Sequence, residues 1–148
     1  MANTDLYNNL AFVQLLDPQD TDDNDDQTSN LLDTLGFESA VVLVNIGTIT
    51  GVGATASLLP TLQECDTTTG GSFGDVAAAD MEGAFTLVDA TTEDQCVQRV
   101  GYKGSKRYLR VKLDYTGTDI TASLVSVTGV LGNPRVYPAT APAAVSAT

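Results

Sequence analysis

From Arg107 onward the chain alternates without a break: Leu109, Val111, Leu113 and Tyr115 fall at every second position, with Tyr108, Arg110, Lys112 and Asp114 between them. A period of two is that of a β-strand with one face in a core and the other in water, and it does not fit a helix, whose faces repeat about every 3.6 residues. The preceding run Cys96–Tyr102 also reads as extended, and Lys103-Gly104-Ser105-Lys106 supplies a Gly-containing turn. The two runs are expected to form a β-hairpin with a basic tip and a basic outer face.

The rest of the chain continues in short strand-like runs punctuated by turns. The β-branched run from Glu38 to Gly47 fits a central strand buried on both sides. A second strand is expected from about Gly51 to Gln63, with Pro60 marking an edge or a bend. Loop residues fill Cys65 to Ser72, and the Ala-rich stretch Asp75–Glu82 is the best candidate for a short helix or turn, ended by Gly83. Strand signals return at Ala84–Asp89 and again from Ile120 to Leu131, after a turn at Thr116–Asp119. Val, Thr, Gly and Ala are abundant while Trp and His are absent, which favours strands and turns. The expected fold is all-β: an antiparallel β-sandwich, jelly-roll-like, with one short helix and extended termini. At 148 residues one domain suffices. It is divided into an N-terminal arm and acidic loop (1–27), the sandwich (28–133) and a Pro/Ala-rich tail (134–148) holding Pro134, Pro138 and Pro142.

Charge is strongly segregated. Residues 1–98 contain 17 acidic and no basic side chains, whereas residues 99–148 contain seven basic and two acidic ones, leaving a net charge of −12. A negative overall field opposes nucleic-acid binding, so no nucleic acid is expected as a partner. Two arrangements satisfy the segregation: acids and bases pair within one monomer, or they meet between copies or against a larger partner. Arg107, Arg110, Lys112 and Arg135 are the candidate partner-binding cations. The apolar cluster at residues 5–16, with Leu6, Tyr7, Leu10 and Phe12, has no clear period. It is open to reading as a strand, a short helix or an arm. As an arm it would dock on a neighbour, and deletion of residues 1–27 would leave the domain folded.

Reactive chemistry has little foothold. There is no His for general-base or metal work, no Gly-x-Ser-x-Gly elbow, and no Lys after Gly70-Gly71 to make a phosphate loop. Glu82 and Asp89 form a conceivable acid–base pair, but carboxylates are common here and no Trp offers a sugar platform. The alternating acids from Asp20 to Asp26 loosely match a calcium loop. However, Asp25 stands where the turn needs Gly, and Leu31 where it needs the bidentate Glu. Tyr102, Tyr108 and Tyr137 are expected to cap the core with their hydroxyls in water. Cys65 and Cys96 read as reduced thiols. No cofactor and no metal are expected, nor is enzymatic activity. With no signal-peptide core and no apolar run long enough for a bilayer, the product is expected to be made in the cytoplasm and to have no membrane partner.

Three strings carry a resemblance: Leu32-Asp33-Thr34-Leu35-Gly36-Phe37-Glu38-Ser39, Gly101-Tyr102-Lys103-Gly104-Ser105-Lys106-Arg107-Tyr108-Leu109-Arg110 and Gly132-Asn133-Pro134-Arg135. Over about residues 28–138 the chain resembles a family of small tailed-bacteriophage virion proteins, nearest to head decoration (cement) proteins. The resemblance implies a non-enzymatic protein on the capsid exterior that binds the major capsid protein and stabilises the shell, commonly as a homotrimer. A head-to-tail connector or neck protein and a carbohydrate-binding virion domain are the alternatives.

Overall fold

The computed structural model describes residues 5–20, 26–68 and 72–146. Among the described residues ten strands are formed: β1 (Leu10–Asp20), β2 (Gln27–Thr28), β3 (Leu32–Asp33), β4 (Phe37–Thr50), β5 (Ser57–Cys65), β6 (Gly74–Asp75), β7 (Met81–Glu82), β8 (Cys96–Tyr102), β9 (Tyr108–Thr116) and β10 (Ala122–Pro134). One sheet, A, runs β1-β10-β4-β8-β7; the other, B, runs β2-β9-β5-β6, with β3 also on β9. Every pairing is antiparallel. The pairs β1–β10, β2/β3–β9, β4–β8 and β5–β6 are nested in sequence, each enclosing the next. That is a long antiparallel ribbon rolled up on itself, and the added pairs β10–β4 and β9–β5 close it into two sheets. The expected jelly-roll-like sandwich is therefore the fold.

Rolling overturns the expected hairpin. β8 pairs with β4 in sheet A and β9 pairs with β5 in sheet B, so residues 103–107 cross from one sheet to the other. Turn composition marks a reversal of direction but does not say whether the next strand stays in the same sheet. The N-terminal arm is likewise corrected. Residues 10–20 pair along β10, and Ala11, Val13 and Leu15 enter the core beside Val42, Val44, Leu109 and Val127. Three alternate inward positions supply the period that the apolar cluster conceals, because Phe12 between them and Leu10 and Leu16 on either side are apolar too, and a bulge shifts the register after Gln14.

Other local expectations resolve from backbone accounting. β4 is the middle strand of its sheet, but only Ala40, Val42, Val44, Ile46 and Ile49 are buried; Val41, Leu43 and Asn45 face outward and stay half-exposed. Pro60 lies within β5. The Leu58 N–H donates to the Val88 carbonyl on the side away from β9, so the Pro60 nitrogen, two residues on, points the same way and its missing N–H removes no β9 bond. The Ala-rich stretch makes only a 3₁₀ turn, Ala78–Asp80, between the two-residue strands β6 and β7. The strand expected at 84–89 reduces to a single bridge from Val88 to Leu58. Gly51, at φ +92°, lets the chain leave β4 with its α-carbon against the Asp119 carbonyl, where a β-carbon would come within 1.7 Å of that oxygen. The tail lies on the domain: Val145 bridges Leu31, and the Ala139 N–H donates to Asn8. No helix among the described residues is long and apolar enough to cross a membrane.

Candidate functional site

The crossover from β8 to β9 builds one end of the sandwich and brings together the three strings noted in the sequence. Thr34 donates both its N–H and its hydroxyl to the Arg107 carbonyl, each at 2.9 Å. The Arg107 guanidinium binds Asp33 through two parallel hydrogen bonds of 2.9 and 2.7 Å and stacks over the Tyr108 ring at 4.9 Å. Behind β10, the Arg135 N–H donates to the Gly36 carbonyl at 2.9 Å, and its side chain reaches Glu38 at 3.6 Å. Between these anchors lies an open cleft lined by residues 34–40, Tyr102–Arg107 and Arg135.

Tyr102 latches the crossover in place. Its hydroxyl donates to Glu64 on β5 and accepts the Lys106 N–H at 2.8 Å, so one side chain ties both sheets to the connecting loop. Burial, and then the Glu64 carboxylate, raise the phenol well above its usual range, which keeps it a donor. Gly104 is required by this contact, since a β-carbon there would sit 2.4 Å from the Tyr102 hydroxyl oxygen. The three tyrosines expected as wet caps therefore differ: Tyr102 is bonded internally, Tyr108 is buried, and of the three only Tyr137 is exposed.

The cations around the cleft are engaged. Lys103 binds Glu82 at 3.0 Å, Lys106 binds Asp66, and Arg107 holds the Asp33 carboxyl below the usual carboxylate range by hydrogen bonding, against the opposing effect of burial. On the outer face of sheet B, Arg110 donates to Gln63 at 2.8 Å and lies 4.2 Å from the Phe73 ring centre, while Lys112 binds both Asp26 and Asp114. Of the two arrangements open for Arg107, Arg110 and Lys112, the structure shows the internal one, with each side chain engaged by residues of the same chain. The acids come mostly from the N-terminal two thirds of the chain, which is the intramolecular solution to the charge segregation.

The apolar candidates lie elsewhere. Leu6 and Tyr7 sit in the turn before β1, Tyr7 90% exposed; Leu10 is half-buried and Phe12 is 60% exposed on the outer face of sheet A. In register across that face run Phe12, Val130, Val41 and Gly101, then Gln14, Thr128, Leu43 and Arg99, then Ser126, Asn45 and Val97. Val97 is 62% exposed. Val41, Leu43, Val97, Arg99 and Val130 share this outward face and are not among the residues singled out by the sequence. The outward parity of Val97 and Arg99 is readable in the alternation of Cys96–Tyr102, whereas Val41 and Leu43 lie in a continuous apolar run that does not show which side faces water.

Asp20 accepts the Ser123 N–H and Asp26 the Tyr115 N–H, so both ends of the acidic loop are committed to backbone; residues 21–25, and with them the centre of the calcium-loop match, lie outside the described residues. Among the described residues no three His, Cys, Asp or Glu side chains are disposed to hold a metal. Glu82 pairs with Lys103 beside sheet A, while Asp89 follows the Val88 bridge to sheet B, and no hydrogen bond joins the two carboxylates. Cys65 and Cys96 are free thiols.

No family model matches the chain, and no curated protein does. Among solved structures it is similar to the Yersinia pseudotuberculosis-derived mitogen, at 10% identity over 85% of this chain and 86% of that one, with a TM-score of 0.39. It is also similar to murine APRIL, at 10% identity over 84% of this chain and 99% of that one, TM-score 0.44. A third likeness is to VP2 of the infectious bursal disease virus subviral particle, at 10% identity over 85% of this chain and 32% of that one, TM-score 0.43. Scores this low carry no functional reading, and the fold assignment rests on the strand pairing itself.

Proposed function

We propose that this chain is a non-catalytic structural protein of a bacteriophage virion, which decorates the capsid exterior and stabilises the shell by binding the major capsid protein as an oligomer. The observation that carries the reading is convergence. The three strings in which the sequence resembles small tailed-phage virion proteins are separated by tens of residues, yet they fold into one hydrogen-bonded end of the sandwich around the cleft. What the chain would share with that family is then a built surface rather than a reactive centre. A surface serves a shell protein well, because a modest contact repeated at many equivalent sites reinforces the whole lattice.

The test is binding of the full chain to shells that lack it, with copies per particle counted by quantitative mass spectrometry. Saturable attachment in many copies over the shell is expected. No attachment at all overturns the reading, and attachment in a few copies at one vertex replaces decoration with a neck or connector role.

A further inference from the structure

Two open sheets leave edges, and an exposed edge is a template for another strand. β7 ends sheet A on one side, while β2 with β3 and then β6 end sheet B; each of these strands holds two residues among the described ones, too few to template much. β1 is the exception, an edge strand of eleven residues. Its two halves differ. From Leu16 to Asp20 the register with β10 slips, Pro18 lacks a donor, and Asp17 and Asp20 add charge, all of which blunt an edge. From Leu10 to Gln14 the register runs unbroken over five residues with no charge and no proline. An edge strand turns the N–H and C=O groups of alternate residues away from its sheet. Here the Leu10 N–H turns back to the Leu6 carbonyl and the Leu15 carbonyl accepts from the Asn30 N–H; among the described residues no other backbone partner outside β10 meets residues 10–15.

The unprotected half is the half that the C-terminal tail brackets. At one end the Ala139 N–H donates to the Asn8 carbonyl at 2.9 Å. At the other, Val145 and Leu31 exchange two bonds of 2.7 and 3.2 Å, next to the Asn30 that holds Leu15. Between these fixed points no backbone hydrogen bond joins residues 140–144 to β1, and Pro142 has no N–H to give. A groove of about 450 Å³ has Leu10, Ala11 and Phe12 on one wall and Pro138, Ala139 and Ala141 on the other. A segment tied at its ends and unbonded in its middle covers an edge without extending the sheet. We infer that the tail is an edge guard: folded back on its own chain, it withholds Leu10–Gln14 from antiparallel pairing with β1 of a second copy. A strand paired antiparallel with its own copy about a two-fold axis matches every free donor to an acceptor. At −12 per chain, copies repel at long range, but this half of β1 puts no carboxylate into such a pairing, whereas the Asp17–Asp20 half does.

The inference goes beyond the functional reading and is tested on the purified full-length chain with no shell present. Ala139→Pro combined with Val145→Pro removes two of the three backbone bonds that tie the tail down. Sedimentation velocity across a concentration series, with the natural sequence as baseline, should show the unlatched protein self-associating at least about tenfold more tightly. Hydrogen exchange read by mass spectrometry then locates the new contact: amides of residues 10–14 should exchange more slowly in the associated form, while those of residues 139–145 exchange faster than in the natural sequence. Should the double variant lose its cooperative unfolding transition, Ala139→Pro alone, which keeps the Leu31 bridge, carries the same expectation at smaller amplitude. A folded unlatched protein that sediments like the natural sequence overturns the inference. So does association whose new protection falls outside residues 10–14.

Discussion

The outer faces of the two sheets solve opposite problems. Sheet B turns outward the alternating charges of β9 and meets each with a partner from the same chain: Arg110 with Gln63, and Lys112 with Asp26 and Asp114, with Asp33 and Arg107 at the margin. Sheet A turns outward Phe12, Val41, Leu43, Val97 and Val130 among Gln14, Thr128, Ser126 and Asn45, with Arg99 lacking a side-chain partner among the described residues and Glu82 at the β7 edge bound to Lys103. A face whose polar groups are satisfied internally has little to gain from a partner. A face left apolar in water, with an unpaired charge, gains both area and an ion pair when covered.

The comparison breaks first at β1, which has one face in the core and one turned to solvent. Leu15, fully buried, should cost about 2–5 kcal/mol as Leu15→Ala, read by urea unfolding. The neighbouring outward Phe12→Ser should leave the unfolding midpoint of the monomer almost unchanged while weakening association. Equal destabilisation by both would mean that the outer face is held by the fold rather than left for a partner.

A smaller effect sharpens the reading of sheet B through pH. The Arg107 hydrogen bonds hold the Asp33 carboxyl below its ordinary pKa. A carboxyl depressed in the folded state contributes stability above its unfolded pKa, and that contribution is lost as pH falls through the lower, folded value. Asp33→Asn should accordingly be less stable than the natural sequence at about pH 7, and the gap should narrow as pH falls below the ordinary carboxylate range and through the depressed folded value. A gap that persists in acid would assign the effect to shape rather than charge.

The smallest effect belongs to Arg135, whose side chain is mostly exposed and lies 3.6 Å from an equally exposed Glu38. Arg135→Ala should change unfolding free energy by no more than about 0.5 kcal/mol. If the functional reading is right, its effect appears in shell attachment instead.

How much of this was legible beforehand follows from which forces are local. Alternation at Leu109, Val111 and Leu113 gave β9 its inward face, and the absence of His removed most catalytic chemistry, because both are properties of the residues themselves. The turn at Gly104 was also visible, but its meaning was not. Whether β8 and β9 pair or part depends on β4 and β5, which lie tens of residues earlier and compete for the same edges. The segment at residues 5–16 looked like an arm for the same reason: its partner, β10, is more than a hundred residues away.

By itself, then, the sequence determined an all-β chain, the inward face of β9 and the opposition between an acidic front and a basic rear. Only the tertiary structure decided that six of the seven cations find side-chain partners within the molecule, and that outward residues of β1, β4, β8 and β10 share one face of sheet A. Periodicity and composition are set along the chain, whereas pairing between distant strands is set by which arrangement of the rolled ribbon buries the shared core.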